Sequence, residues 1–244
     1  MYQIYLIHSD TPLFPNREEL ISTDYDVICI GGELNFPWLI AAYERGYFPW
    51  FSPEDPVTWW HPAIRAVMRP EDIRIHKSMR PYFNQVKFHL RIDYAFEEVM
   101  KLARKTHLDN EGDTWISEDF VREYTRLHKK GYAHSFEAWK DGILVGGLYG
   151  LSLGRMFFGE AMFSAEKNAS KFCFISLAQI LQHNGFTHID CQVPNNHLSF
   201  MGCKDMPRDK FLDLLEENKQ YETIQGNWAK ELEIPPLLEK HIAD

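Results

Sequence analysis

Residues 146–164 read GGLYGLSLGRMFFGEAMFS. Two apolar runs, Ile143–Leu153 and residues 156–163, flank the dipeptide Gly154-Arg155. Strand-forming residues on both sides of a short turn that contains glycine are typical of a β-hairpin. The sequence therefore predicts a long antiparallel pair of strands at the centre of the fold.

A helix and a returning strand are predicted after this hairpin. Residues 168–185 read NASKFCFISLAQILQHNG, in which Asn168 and Ser170 can cap the start of a helix and Gly185 can stop it. The next run, HIDCQV at residues 188–193, has the composition of a short strand. Hairpin, helix and strand together predict one layered unit.

Three polar side chains occupy predicted strand positions in this unit: Glu160, Asp190 and Gln192. Charged and polar side chains are uncommon inside core strands. We therefore expect the reaction centre here. Because side chains two apart on a strand point to the same face, Asp190 and Gln192 are expected to lie side by side.

The remaining elements predict an α+β (mixed α/β) chain with two domains. A segment rich in proline and aromatic residues ends near residue 62, and a regular strand pattern, AIRAVM, follows it. The predicted division is a small N-terminal α+β domain at residues 1–62, a larger domain at 63–232 and a C-terminal tail at 233–244.

Periodicity and capping signals predict individual elements in both domains. They are helices at residues 34–43, 96–105 and 117–130, the last capped by Ser117, and a strand at 86–92. Residues 48–51, FPWF, predict an aromatic turn, because Pro49 lacks an N–H and restricts the residue before it.

Motif spacing excludes several kinds of site. No two histidines stand four apart, so there is no HExxH zinc motif, and neither GxxxxGK nor GxSxG occurs. The glycines of the hairpin lie inside strand patterns rather than at a strand-to-helix turn that could bind a dinucleotide. The four cysteines lack metal-ligand spacing and are expected to be reduced thiols: Cys29, Cys173, Cys191 and Cys203. We therefore expect neither metal nor cofactor.

The chain shows no signal for a membrane. Its first residues lack the basic leader of a secretory signal, and no apolar run approaches the roughly 20 residues that span a bilayer. We therefore expect a cytoplasmic protein without a membrane partner.

Charge is distributed unevenly along the chain. The formal net charge of −9 argues against nucleic-acid binding. Residues 64–91 nevertheless carry seven basic side chains against two acids, a local balance of +5. These bases are Arg65, Arg69, Arg74, Lys77, Arg80, Lys87 and Arg91. Such a segment is either a solvated face or a surface that binds phosphates.

Seven sequence blocks follow one another along the chain: GGELNFPWLIAAYERGYFPWF at residues 31–51, WWHP at 59–62, TWIS at 114–117, GGLYG at 146–150, GEAMFS at 159–164, NASK at 168–171 and IDCQV at 189–193. Taken together in this order, they resemble the leucyl/phenylalanyl-tRNA–protein transferases. The resemblance covers roughly residues 16–228. It implies transfer of leucine or phenylalanine, and methionine less well, from aminoacyl-tRNA to the N-terminal arginine or lysine of an acceptor protein, which marks that protein for degradation.

The resemblance also implies an acetyltransferase-like fold for the larger domain, without coenzyme A. Acyl-coenzyme A enzymes of that fold hold the pyrophosphate on a glycine-bearing turn before a helix. The corresponding turn here, SAEKNASK at residues 164–171, has no glycine. An acyl donor bound elsewhere is expected, and a tRNA 3′ end fits.

Aminolysis of an aminoacyl ester needs little from the protein: a deprotonated amine about 3–3.5 Å from the carbonyl and a route for its proton. We hypothesise that Asp190 orients the amine or accepts its proton, and that Gln192 positions the carbonyl or relays a proton to the leaving 3′ oxygen. The resemblance implies that Glu160 lies beside the aminoacyl group, where it could accept from the α-ammonium. A solvent-facing strand or a structural ion pair is the alternative, and the identity of the base stays open.

The other substrate contacts are expected from apolar, aromatic and basic residues. Met162 matches the family position in the side-chain pocket, and further candidates, which could equally be core, are Leu148, Phe174, Leu177 and Leu181. Trp50 and Trp115 lie in irregular segments and are expected to stack the terminal adenosine. Lys77 and Arg80 are expected to contact acceptor-stem phosphates.

Two other classes of function share some of these features. A coenzyme-A-dependent N-acyltransferase would share the fold, although the turn without glycine argues against it. A non-catalytic RNA-binding module would share the basic segment and the tryptophans, but it would not need three polar side chains on adjacent strands.

Overall fold

The structure, a computed structural model, describes residues 4–237. It contains a four-stranded and a seven-stranded sheet with helices packed around them, so the predicted mixed α/β class is confirmed. Of the predicted C-terminal tail, residues 238–244 lie outside the described part of the chain.

The smaller sheet belongs to the N-terminal part of the chain. Its strands have the order β1-β2-β4-β3, and two helices accompany them. The strands are β1 (Tyr5–Ile7), β2 (Val27–Gly31), β3 (Phe48–Pro49) and β4 (Thr58–Trp60), and the helices are α1 (Arg17–Ile21) and α2 (Phe36–Tyr43). Helix α2 begins where the side chain of Asn35 accepts from the backbone N–H of Trp38, an N-cap that satisfies one of the free donors of the first turn.

The larger sheet is built from later residues, in the order β11-β5-β10-β9-β8-β7-β6. Its strands are β5 (Ile64–Met68), β6 (His89–Ile92), β7 (Ala133–Lys140), β8 (Ile143–Leu153), β9 (Met156–Ser164), β10 (His188–Asp190) and β11 (Lys204–Pro207). Strands β9 and β10 are parallel, and the other neighbours in this sheet are antiparallel. The predicted central hairpin is β8 and β9.

In the described part of the chain, seven further α-helices cover this sheet or follow it: α3 (Arg80–Asn84), α4 (Phe96–Glu111), α5 (Glu118–Lys129), α6 (Ala169–His183), α7 (Asn196–Met201), α8 (Arg208–Asn218) and α9 (Trp228–Glu231). Helix α5 begins as predicted, because the Ser117 side chain accepts from the backbone N–H of Phe120. Helix α4 is longer than predicted and ends at Gly112, whose left-handed backbone (φ +77°) stops it.

Two local expectations were wrong, and one strand was not predicted. Asn168 precedes α6 but its side chain caps nothing, since its own backbone is left-handed (φ +68°). Instead the Ser164 hydroxyl accepts from the N–H of Ser170 at 3.2 Å. Strand β10 stops at Asp190, because Gln192 also has a left-handed backbone (φ +62°). Strand β11 was missed altogether.

Apolar side chains form a cluster on each face of the larger sheet. One cluster is shared between the two sheets and includes Trp38 and Trp59 with Phe120 and Leu151. The other contains most of the apolar face of α6 together with the fully buried Trp228. The strands of the smaller sheet end at Trp60 and those of the larger begin at Ile64, while the division into separate domains stays a prediction.

Within residues 4–237, none of the helices combines the length and the apolar character that crossing a membrane would require.

Candidate active site

A cavity of about 700 Å³ opens where β9 and β10 meet the aromatic loop of the smaller sheet. Its wall includes strand residues of β9, the segment that follows β10, the first turns of α7 and the buried face of α6. Most lining side chains are apolar, and a few polar groups converge at one place, which is the usual character of a small-molecule site.

The apolar wall contains most of the predicted side-chain pocket. Leu148, Met162, Phe174 and Leu177 all line the cavity. Leu181 does not, and this prediction is corrected: it lies one helical turn beyond Leu177 on α6 and is fully buried in the core.

The two predicted stacking tryptophans are close neighbours in the cavity wall. Trp50 is 36% exposed, and its ring centroid lies 5.9 Å from that of the half-buried Trp115 in an edge-on arrangement. Trp60 packs against Trp50 at 4.8 Å, and its indole N–H donates to the Trp50 carbonyl at 2.7 Å. An exposed indole face beside an enclosed apolar space can stack a planar ring.

Glu160 reaches the cavity because β9 carries a β-bulge. Tyr149 pairs with Ala161 and Gly150 pairs with Gly159, so Glu160 is the extra residue between them. A bulge disturbs the alternation of side chains along a strand and re-aims the residue that it inserts. Among the described residues that line the cavity, Glu160 is the one with a carboxylate.

Neutral donors surround the Glu160 carboxylate. The Tyr43 hydroxyl donates to Oε1 at 2.5 Å, and the Tyr124 hydroxyl donates to Oε2 at 3.2 Å. Burial raises the pKa of Glu160 to about 7, although both tyrosine hydrogen bonds oppose the rise. A carboxyl group with this pKa exchanges a proton readily near neutral pH.

Gln192 is the third partner of Glu160. Its side-chain amide donates to Glu160 Oε1 at 2.9 Å, and its backbone N–H donates to Asp190 Oδ1 at 2.9 Å. The left-handed backbone of Gln192 turns the chain out of strand β10. A non-glycine residue in this conformation costs free energy and persists only where its surroundings hold it.

The expectation that Asp190 touches substrate is corrected. Its carboxylate is fully buried, and both oxygens bind Arg65 of β5, at 2.8 Å to Nε and 2.6 Å to Nη2. The pair makes two parallel charge-assisted hydrogen bonds, and the carboxylate does not line the cavity. Asp190 and Gln192 were predicted to share one face of a strand. They do not, since β10 ends at Asp190.

Arg65 is enclosed on every side. Its Nη1 donates to the carbonyl of Gly46 at 2.9 Å, and the rings of Phe48 and Phe211 lie 4.7 and 4.5 Å from its guanidinium carbon. Arg65 therefore joins the smaller sheet's loop to the residue that holds Gln192. Arg65 therefore contributes nothing to the surface charge of residues 64–91. The prediction that counted it in the basic segment is corrected.

The other bases of that segment differ in their surroundings. Arg69 pairs with Glu71, and Arg91 stacks over Tyr94 and Trp139. Lys77 is exposed in a 3₁₀ turn (Lys77–Met79), and Arg80 begins α3. Both predicted phosphate contacts lie outside the cavity wall.

The cysteines are free thiols: Cys29, Cys173 and Cys203 are buried, and Cys191 is half-buried. No cluster of three His, Cys, Asp or Glu side chains suited to a metal ion occurs in the described part of the chain.

Sequence reasoning missed Arg65, Tyr43 and Tyr124 as site residues. The two tyrosines are separated by 81 residues, and their hydroxyls lie 2.6 Å apart. Nothing in their helical patterns distinguishes them from ordinary core residues. Arg65 did leave a signal, because an arginine in the apolar strand AIRAVM needs a buried counter-charge.

Comparison with known proteins places the chain in a family. The family model described as leucyl/phenylalanyl-tRNA protein transferase matches residues 67–216, and the model of that family's N-terminal domain matches residues 32–63. The chain belongs to the leucyl/phenylalanyl-tRNA–protein transferase family. The predicted resemblance is confirmed.

Curated relatives carry the name leucyl/phenylalanyl-tRNA–protein transferase. The protein of Chromobacterium violaceum is 42% identical over 217 residues, which is 89% of this chain and 93% of that protein. The protein of Aromatoleum aromaticum is 43% identical, covering 90% and 92%. The protein of Pectobacterium carotovorum is 37% identical, covering 97% and 100%.

Solved structures similar to this member of the family include FemX, with 10% identity, a TM-score of 0.47 and coverage of 79% of this chain and 73% of that one. A GCN5-related N-acetyltransferase from Anabaena variabilis has 9% identity, a TM-score of 0.42 and coverage of 77% and 45%.

Proposed function

We propose that this protein transfers leucine or phenylalanine, and methionine less well, from aminoacyl-tRNA to the N-terminal arginine or lysine of acceptor proteins. The observation that carries the proposal is Glu160, with its raised pKa, joined to Gln192 at the polar end of an apolar cavity. Family membership supports the same reaction.

The donor would lie along the cavity in three parts. The aminoacyl side chain would fill the apolar wall formed by Leu148, Met162, Phe174 and Leu177, which offers no charge to a leucine or phenylalanine side chain. The terminal adenosine would stack at the tryptophan pair, and the ester carbonyl would then lie near Glu160. Aromatic stacking contributes about 1–3 kcal/mol per base.

Glu160 is the proposed proton acceptor, a role for which the sequence left the candidates open. The acceptor's α-amine attacks the ester carbonyl, so a C–N bond forms while the C–O bond to the 3′ oxygen breaks. One proton leaves the amine for Glu160 and is delivered to the 3′ oxygen, which departs as a hydroxyl. Gln192 would orient both the carbonyl and the carboxylate through its amide.

Asp190 and Arg65 are proposed to act through Gln192. Asp190 accepts the Gln192 N–H, and Arg65 fixes Asp190 with two hydrogen bonds. Lys77 and Arg80 would contact tRNA phosphates outside the cavity, a contact independent of sequence. Because charged tRNA is a cytoplasmic substrate, the proposal includes a cytoplasmic location and no cofactor.

The test is transfer of labelled leucine from Leu-tRNA to a peptide that begins with arginine. A matched peptide that begins with alanine, and the arginine peptide with an acetylated N-terminus, serve as controls. We expect label only in the unblocked arginine peptide, and in its lysine counterpart. Label in the alanine peptide at an equal rate would contradict the proposed acceptor class.

Two further outcomes would replace the proposal altogether. Binding of tRNA without transfer to any peptide would indicate an RNA-binding module. A rise in melting temperature with acetyl-coenzyme A, together with acetylation of the peptide, would indicate an acyl-coenzyme A enzyme. We expect neither.

A further inference from the structure

An exposed aromatic pair beside the cavity has no role in the transfer described above. The Phe200 ring stacks on the His76 ring, with centroids 3.8 Å apart and 7° between the planes. Phe200 is 50% exposed. Part of the Phe200 ring surface therefore remains accessible to another planar ring.

Positive charge accompanies this pair. The Lys171 ammonium lies 5.8 Å from the centre of the Phe200 ring, and the Arg74 guanidinium approaches the Ser199 carbonyl at 3.5 Å. We call His76, Phe200 and Lys171 the stacking platform. An aromatic face with a neighbouring cation suits a nucleotide, because the base can stack while the phosphate meets the charge.

The stacking platform continues the cavity wall. Asn196 and His197, at the start of α7, line the cavity. Phe200 follows them by four and three residues, so it lies on the same helix face one turn further out. Burial lowers the pKa of His197, and the charge of Lys171 lowers it further, so Lys171 acts electrostatically on a residue of the cavity wall.

On its other side the stacking platform adjoins the proposed phosphate contacts. His76 directly precedes Lys77, and Arg80 follows within the next turn. The stacking platform therefore adjoins the cavity wall at α7 and, through His76, the proposed phosphate contact Lys77.

We propose that the stacking platform binds the penultimate cytidine of the tRNA 3′ end, with its base on Phe200 and its phosphate near Lys171. The proposal rests on the proposed function. Every tRNA ends in single-stranded CCA, so the nucleotide before the terminal adenosine must leave the cavity at its mouth. An apolar ring flanked by a cation is complementary to that nucleotide and offers nothing specific to a neutral peptide.

The experiment is a double-mutant cycle on tRNA binding, measured by fluorescence anisotropy at one fixed salt concentration. The protein is wild type or Phe200→Ala, and the tRNA carries either cytidine or an abasic site at the penultimate position. We expect Phe200→Ala and the abasic tRNA each to raise the dissociation constant about tenfold. The variant protein with the abasic tRNA should show no larger increase than either change alone. Phe200→Trp, which keeps a stacking face, should bind as tightly as wild type.

Tyr94→Ala is the matched control, because Tyr94 is also an exposed aromatic residue, at 66%, and does not line the cavity. It should leave the dissociation constant within twofold of wild type. If the two changes together raised the dissociation constant by the product of their separate effects, the proposed role of the stacking platform would be wrong. It would also be wrong if Phe200→Ala left the dissociation constant unchanged. Since binding is measured separately, an intact cycle without any aminoacyl transfer would overturn the proposed function and not the platform.

Discussion

Glu160 and Asp190 flank the same glutamine, and the protein surrounds these two carboxylates in opposite ways. Glu160 stands in the cavity wall and accepts from the neutral donors Tyr43, Tyr124 and Gln192. Asp190 is fully buried, and both of its carboxylate oxygens accept hydrogen bonds from the Arg65 guanidinium. A buried carboxylate with neutral partners keeps a raised pKa, whereas one paired with a guanidinium is held in place by charge-assisted hydrogen bonds. The first region is suited to moving a proton and the second to holding a geometry.

Breaking the Arg65–Asp190 ion pair should have the largest effect. Arg65→Met leaves the Asp190 charge buried without its partner, which costs about 3–5 kcal/mol in the free energy of unfolding. Urea unfolding monitored by fluorescence measures this cost. A loss below about 1 kcal/mol would contradict the structural role given to the pair.

A double variant separates stability from positioning. In Arg65→Met with Asp190→Leu both charges are absent, so much of the lost stability should return. Transfer should stay low, because the Gln192 N–H has lost its acceptor. Recovery of both stability and transfer would show that the pair does not position Gln192.

Removing one of the neutral hydrogen-bond donors to Glu160 should have an intermediate effect. The Tyr43 hydrogen bond lowers the pKa of Glu160, so Tyr43→Phe should raise that pKa further above its usual range. The Glu160 pKa fitted from the pH–rate profile should rise by about 1–2 units, since a hydrogen bond to a charged group contributes about 1.5–3 kcal/mol and one pKa unit corresponds to about 1.4 kcal/mol. Transfer lost at pH 7 should return at higher pH.

Tyr47→Phe is the control for that measurement. Tyr47 is also fully buried, but its hydroxyl donates to the Pro15 carbonyl and not to Glu160. Its pH profile should match that of wild type. An equal displacement in both variants would point to a general loss of packing rather than to the carboxylate.

The smallest effect is expected outside both regions, at the proposed phosphate contacts. Lys77→Ala with Arg80→Ala should weaken tRNA binding and reduce the slope of log affinity against log salt by about one for each lost contact. Lys210→Ala with Lys219→Ala removes the same charge from α8 and the residue that follows it, and should leave the slope unchanged. Equal slopes for the two double variants would exclude Lys77 and Arg80.

Local patterns predicted the parts of the fold that are determined by neighbours in sequence. The central hairpin and the Ser117 cap of α5 follow from spacing and turn chemistry that a few residues contain. The length of β10 could not be predicted, because the left-handed backbone of Gln192 depends on Asp190 and on its pairing with β5. Glutamine has no intrinsic preference for that conformation.

The same contrast between local and long-range information applies to the candidate site. Glu160 and Gln192 were recognisable as polar residues in apolar surroundings, and both line the cavity. The role of Asp190 was wrong because its partner, Arg65, lies 125 residues away and had been counted as surface charge. Long-range pairing between charged residues decides whether a carboxylate faces substrate or stays buried, and one sequence does not display that pairing.

Single-turnover transfer rates from pH 5 to 9, for wild type and Glu160→Gln, test most directly whether Glu160 accepts the proton. In wild type both the carboxylate, with a pKa of about 7, and the acceptor amine, near 7.7–8, must lose a proton. The log rate should therefore rise with a slope of two below pH 7. Glu160→Gln should keep only the amine's slope of one and lose about 10²–10⁴-fold in rate at its plateau. A Glu160→Gln profile with the wild-type shape and a plateau within twofold would contradict the account.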